Sequence, residues 1–150
     1  MSIEIKMLQT GDSAVLDGIE PGLFDRPLKD LSLSEFLFDS RHHMAVALYK
    51  PAGTEQQVVG FASAVHYVHP DKDPELFINE IGVAESHRNH GLGKQLLQLL
   101  FNHAHDLGCA QAWVLAEPSN TPAMQLYASI DGVEAVHDQV MFTFKIDQSK

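Results

Sequence analysis

From Ile78 to Lys94 the chain reads Ile-Asn-Glu-Ile-Gly-Val-Ala-Glu-Ser-His-Arg-Asn-His-Gly-Leu-Gly-Lys. An apolar strand runs into a short loop with two glycines, and a long helix begins there. The first amides of a helix lack internal partners, and the helix dipole places partial positive charge at that end. Together they form a site for a pyrophosphate. Gly91 and Gly93 carry no side chain to hold phosphates away from the backbone, and Arg88 and Lys94 add positive charge. Two other phosphate motifs do not fit. A P-loop requires Ser or Thr after Gly-Lys, where Gln95 stands, and Gly-x-Gly-x-x-Gly fails at Leu96. Two glycines and an arginine alone would also suit a strand-to-helix turn that binds nothing.

The elements that position this turn follow from periodicity. Ile3, Ile5 and Met7 alternate as a first strand. Asp12 to about Ile19 suits a short helix, ended by Glu20-Pro21-Gly22, and a second helix is expected from Ser32 or Ser34 to about Asp39. Strands are expected at Met44 to Tyr49 and Val58 to Tyr67, joined through Pro51-Ala52-Gly53-Thr54, and a fourth at Leu76 to Val83. Leu92, Leu96, Leu99, Leu100, Ala104 and Leu107 place a helix over Gly91 to Leu107, with Gly108 as its stop. Ala110 to Ala116 reads as a strand. Asn120-Thr121-Pro122 then opens a helix carrying Met124, Leu126 and Tyr127. Gly132 to Val136 and Val140 to Ile146 read as two closing strands. No repeat or linker divides the chain, so residues 1–150 are expected to form one α/β domain around a mixed sheet.

Composition narrows the setting. The 150 residues are 45% hydrophobic and 20% charged, ordinary for a globular protein, and no apolar run suits a membrane span. One cysteine, Cys109, permits no internal disulfide, and the N-terminus lacks a signal peptide's apolar stretch, so a cytoplasmic location is expected. A net charge of -10 argues against nucleic acid and suits a cationic substrate, although acidity also serves solubility. Nine histidines include the close sets His42-His43, His66-x-x-His69 and His87-x-x-His90, none with a zinc-site pattern, so no metal is expected.

Arg88-Asn89-His90-Gly91-Leu92-Gly93 matches the Arg/Gln-x-x-Gly-x-Gly/Ala signature of the GNAT N-acetyltransferases, and the order of elements resembles that family over nearly the whole chain. The resemblance implies the GNAT fold, a mostly antiparallel sheet of six or seven strands with about four helices. It implies acetyl-CoA as co-substrate, with the backbone of Ile81, Gly82 and Val83 beside the pantetheine arm. The amides of Arg88, Asn89, His90, Gly91, Leu92, Gly93 and Lys94 would hold the pyrophosphate. Asn120-Thr121-Pro122-Ala123-Met124-Gln125-Leu126-Tyr127 is similar to a second family run. It implies that Asn120 contacts the cofactor arm and that Tyr127 reprotonates the leaving thiolate. The family's following glycine stands one residue late, at Gly132 after Asp131, and Val133 replaces an aromatic, which implies a longer or bulged helix end.

The acceptor amine must lose a proton to attack, and Glu80 is the expected base, directly or through a water, its carboxylate partly desolvated between Ile78 and Ile81. Asn79-Glu80-Ile81-Gly82-Val83, Leu23-Phe24-Asp25-Arg26, Tyr67-Val68-His69-Pro70 and Glu85-Ser86-His87-Arg88 resemble, in order, stretches of the aminoglycoside 3-N-acetyltransferases. That subgroup implies a polycationic antibiotic as acceptor, acetylated in a ternary complex without an acetyl-enzyme, and points to a homodimer. Asp25, Asp30, Glu35, Asp39, Asp71, Asp73 and Glu75 are the acids expected to line the acceptor cleft. A polyamine, another small metabolite or a protein N-terminus is the alternative acceptor, and a non-catalytic acyl-CoA-binding module is the alternative class.

Overall fold

The computed structural model describes residues 2–134 and 139–149. Its sheet has five strands in the spatial order of the sequence: β1 Ile3–Met7, β2 His42–Tyr49, β3 Gln57–Tyr67, β4 Glu75–Val83 and β5 Gln111–Trp113. The first four are antiparallel neighbours, and β5 joins β4 in parallel. The helices are α1 Asp30–Phe38, α2 Leu92–Asp106 and α3 Thr121–Ser129, with 3-10 turns at Ser13–Gly18 and Glu85–His87. The expected mixed, mostly antiparallel sheet is therefore present with fewer strands.

Alternation along β2 sorts the two faces of the sheet. Met44, Val46 and Leu48 pack with Leu8, Leu16, Val58 and Phe61 under α1 and the first 3-10 turn. Ala45 and Ala47 point the other way, towards Leu92, Leu96, Leu97 and Leu100 of α2. Small residues on that face let the long helix lie close, and all four leucines are at most 3% exposed. The stop expected at Gly108 takes the form of a Schellman turn. Gly108 has φ +79, its N–H donates to His105 O, and the Cys109 N–H donates to Ala104 O at 3.0 Å.

Two expectations change. The strand expected over Ala110 to Ala116 shrinks to Gln111–Trp113, paired only with Glu75–Phe77. The reason lies in β4. Ser63 faces Glu80 while Ala64 faces Ile78, so Asn79 is an extra, bulged residue. A bulge bends its strand and ends regular pairing, which parts β4 from β5 beyond Phe77. The closing strands are not seen in the sheet among the described residues. Gly132 to Val136 runs into residues 135–138, outside the described residues, and Val140 to Ile146 carries no strand pairing with another described residue. A three-residue β5 offers a short ladder for its own chain to extend.

Candidate active site

Where β4 and β5 separate, the sheet opens a cavity of about 630 Å³ lined by residues that include Asn79, Glu80, Ile81, Leu115, Glu117, Asn120 and Tyr127. That volume suits a small-molecule site. Leu23, Asp25 and Phe61 lie on its wall, and Phe24 stacks on Phe61 with ring centroids 4.0 Å apart. The bulge at Asn79 is what brings both Asn79 and Glu80 to the cavity, since a regular strand would alternate their faces.

The turn after β4 has the geometry its residues dictate. Ala84 donates to Val59 O at 2.8 Å, and the 3-10 turn Glu85–His87 redirects the chain. His87 is turned inwards, 8% exposed, against Tyr49 and bonded to Ser86 Oγ at 2.8 Å. Arg88 Nε donates to Val83 O at 3.1 Å and so ties the loop to the end of β4. Asn89 and Gly91 both lie in the left-handed region, at φ +64 and +75, and Gly91 caps α2. His90 Nδ1 lies 2.8 Å from Arg88 O and 3.2 Å from His87 O, which holds this compact loop. The first recorded α2 bond runs from Gln95 N to Gly91 O, so the amides of Leu92, Gly93 and Lys94 have no intrahelical acceptor. The Leu92 side chain itself is core, leaving its amide for any ligand.

Gly93 stands next to Ile81, a residue of the cavity lining. A Cβ built there would meet Leu126 Cδ2 at 3.1 Å and Ile81 Cδ1 at 3.8 Å, so the missing side chain lets α3 approach α2. Asn120 caps α3 by accepting from the Ala123 N–H at 3.3 Å, as its sequence position predicts. Tyr127, on the same helix, is half-buried, and burial pushes its phenol above the usual value of 10.0. The phenol therefore remains protonated at neutral pH, the state an acid needs. Burial likewise raises the Cys109 thiol, so it is a poor nucleophile.

Glu80 reaches the cavity wall but is exposed, against the expected desolvation, because the fork between β4 and β5 opens to solvent beside it. Of the acids expected in the cleft, only Asp25 lines this cavity. Asp39 is drawn away by Arg41, whose hydrogen bonds lower its carboxyl from 3.8 to about 2. Glu75 hydrogen-bonds His69 and Gln111 at the far end of β4, chiefly Gln111, which holds its pKa down. Asp30, Glu35, Asp71 and Asp73 are surface residues away from the lining. Glu117 is a lining acid that the sequence did not single out. Its signal was its place, just past a strand parallel to β4 and three residues before the capping Asn120. Among the described residues no group of three or more His, Cys, Asp or Glu could hold a metal ion, and no helix is long and apolar enough to cross a membrane.

The family model described as "Acetyltransferase (GNAT) family" matches residues 15–132. Mycothiol acetyltransferase of Thermomonospora curvata is 32% identical over 101 residues, 63% of this chain and 32% of that protein. L-2,4-diaminobutyric acid acetyltransferase of Oceanobacillus iheyensis is 33% identical over 75 residues, 50% of this chain and 40% of that protein. The chain thus spans about a third to two fifths of the length of these curated relatives. A solved aminoglycoside acetyltransferase from an uncultured soil metagenomic sample superimposes with a TM-score of 0.77 at 17% identity, over 98% of this chain and 100% of that one. At that identity the likeness is one of fold.

Proposed function

The chain belongs to the GNAT acetyltransferase family, and from that premise we propose that it transfers the acetyl group of acetyl-CoA to a primary amine of a small cationic molecule. The acceptor we propose is an aminoglycoside, acetylated at a 3-amino group, in the cytoplasm. One observation carries the reading: one cavity at the fork of β4 and β5 is lined by Glu80, Ile81, Asn120 and Tyr127, and a Cβ at Gly93 would lie 3.8 Å from that Ile81. Amides at the start of α2 hold the pyrophosphate, and the unpaired edge of β4 from Ile81 to Val83 receives the pantetheine arm. Arg88 keeps Val83 in place at the end of that edge.

With the thioester in the fork, the chemistry divides between two side chains. Glu80 takes a proton from the bound ammonium group, directly or through a water. The freed amine attacks the thioester carbon, the adduct nitrogen gives up its second proton to water, and the carbon–sulfur bond breaks as the amide forms. Tyr127 stabilises the departing thiolate and gives it the phenol proton. Both groups then exchange protons with solvent. Asp25 and Glu117 attract the cationic acceptor, since carboxylates around a cleft raise the local concentration of cations.

A second acceptor class, a small diamino acid, is favoured by the matched segment of the diaminobutyric acid enzyme. The deciding experiment measures CoA release with kanamycin-like and gentamicin-like compounds, 2,4-diaminobutyrate and spermidine, followed by mass spectrometry of the product. Turnover on the antibiotics, with one acetyl group on the 3-amine, is the expected result. Turnover on diaminobutyrate or spermidine alone would replace the acceptor, and no turnover on any amine despite acetyl-CoA binding would leave a binding module.

A further inference from the structure

The signature that the loop after β4 satisfies fixes Arg88, Gly91 and Gly93 and leaves Asn89 and His90 open. The structure gives His90 a definite task. Its Nδ1 lies 2.8 Å from Arg88 O and 3.2 Å from His87 O. Carbonyl oxygens only accept, so Nδ1 carries the proton and donates to both, and in the neutral ring Nε2 is the bare nitrogen. A side chain of the loop thus spans two of the loop's own carbonyls.

What those bonds fix is the direction of amides. A trans peptide unit is planar, and its C=O and N–H point in opposite directions. The ring that holds Arg88 O therefore also sets the Asn89 N–H, which shares that peptide plane, and turns it to the side away from the ring. The angle φ is positive at Asn89 and Gly91 and not at His90 between them. Such alternation of hand gathers successive N–H groups into one concavity that suits an anion. The Arg88 N–H goes to Glu85 O at 3.3 Å, whereas those of Asn89, His90 and Gly91 make no backbone hydrogen bond to another described residue. They carry the row of amides at Leu92, Gly93 and Lys94 back into the loop. Asn89 holds a left-handed conformation that residues with a side chain seldom adopt, and the His90 bridge supplies the local bonds that keep it there.

We propose that His90 is a positioning residue for the diphosphate of the co-substrate: through Nδ1–H it sets the Arg88–Gly91 loop with its amides facing outward before the ligand arrives. The inference rests on the acetyl-CoA reading above and deepens it, because it gives a variable position of the signature the task of preorganising the site. The role belongs to Nδ1, which makes both bonds to the loop carbonyls, and needs no contact between Nε2 and a phosphate.

Three substitutions separate the two ring nitrogens. His90→Asn places an amide N–H where Nδ1 stands, His90→Gln places one where Nε2 stands, and His90→Leu has neither. His90 is exposed, so none of the three disturbs the core. Calorimetry with acetyl-CoA is expected to give His90→Asn an affinity within about twofold of wild type. His90→Gln and His90→Leu should bind about five- to tenfold more weakly, the size of a lost hydrogen bond that orders a loop. Their KM for acetyl-CoA should rise with it while kcat stays within about twofold, since the filled loop presents the same thioester. A second measurement uses the unaltered protein without ligand. Nitrogen-15 spectra at about pH 8.5, where imidazoles are neutral, are expected to show a ring protonated at Nδ1 whose signals vanish in His90→Leu. Equal affinity in wild type and all three variants, a His90→Gln that binds as tightly as wild type, or a His90 ring protonated at Nε2 would each overturn the proposal while leaving acetyl-CoA binding intact. A wild type that gives no heat with acetyl-CoA would instead sink the acetyl-CoA reading, and the proposal with it.

Discussion

Replacing Tyr127 by Phe removes one oxygen, and the structure says what that oxygen does in the free protein. The ring packs from α3 onto the α2 side of the core, while the hydroxyl makes no recorded hydrogen bond to another described residue. Phe keeps the packing, so folding stability should change by less than about 0.5 kcal/mol, a Tm shift under about 2 °C. In the proposed reading acetyl-CoA is held by backbone amides elsewhere, so its dissociation constant should stay within about twofold. The loss should appear only when the thiolate needs a proton. Removing a positioned general acid lowers the rate by about 10²–10⁴, and a hundredfold fall is about 2.7 kcal/mol. Single-turnover rates with saturating amine, calorimetry with acetyl-CoA and a thermal melt separate the three quantities. Since burial raises the phenol above 10.0, any alkaline fall in rate owed to Tyr127 lies above pH 10 and is absent from the variant. A kcat within about threefold of wild type, or equal losses in kcat and acetyl-CoA affinity, would refute the reasoning and leave the ring as packing alone.

Gly91→Val places a β-branched residue at φ +75, where the added Cβ meets no atom within 4 Å. It should cost about 1–2 kcal/mol of stability and abolish the calorimetric signal for acetyl-CoA; an unchanged affinity would remove the loop from the cofactor site. Asp25→Asn and Glu117→Gln should each raise the amine KM about two- to fivefold, as expected for losing about 0.5–1 kcal/mol of exposed ionic attraction. Added salt should shrink that effect, while Asp71→Asn and Asp73→Asn, off the cavity lining, should leave KM unchanged. Stability should fall on acidification. Burial, then neighbouring His103 and His66, lowers His43 from 6.5 to about 4. The unfolded chain therefore takes a proton that the folded chain refuses, and stability present above pH 6.5 is lost as pH drops towards 4. At about 1.4 kcal/mol per pH unit the loss is bounded near 3 kcal/mol. Denaturant midpoints at pH 7, 5.5 and 4 measure it, and His43→Phe should flatten that part of the curve.

What could be read from the sequence was local. The run from Ile78 to Lys94 carries its own strand, turn and helix start, and Gly108 and Asn120 mark their helix ends by chemistry within a few residues. What could not be read depends on distant partners. Nothing in Asn79 itself demands a bulge; the bulge exists only as a mismatch between β4 and Ser63–Ala64 of β3. The apolar run after Ala110 reads as a long strand because period and composition say nothing about whether β4 stays alongside. The acids failed for the same reason. Asp39 and Glu75 are claimed by Arg41, His69 and Gln111, whereas Glu117 gains its place from the fork. Alternation from Val140 to Ile146 announces a strand, but no pairing partner for it stands among the described residues.

The late glycine after Tyr127 shows how a local irregularity is absorbed. Asp131 occupies the left-handed position at φ +67, its N–H donates to Ala128 O, and the Gly132 N–H donates to Tyr127 O at 2.9 Å. This is a Schellman closure with the glycine one place beyond its usual site. Glycine is still required at 132, for a different reason: a Cβ there would meet Tyr127 O at 2.6 Å. Asp131 accepts the backbone strain, and Gly132 accepts the close contact. Two residues thus share what one glycine commonly does, and the carbonyl that both bonds and crowds Gly132 belongs to Tyr127. The extra residue therefore lengthens the turn while leaving the helix end, and the phenol it carries, fixed against the cavity.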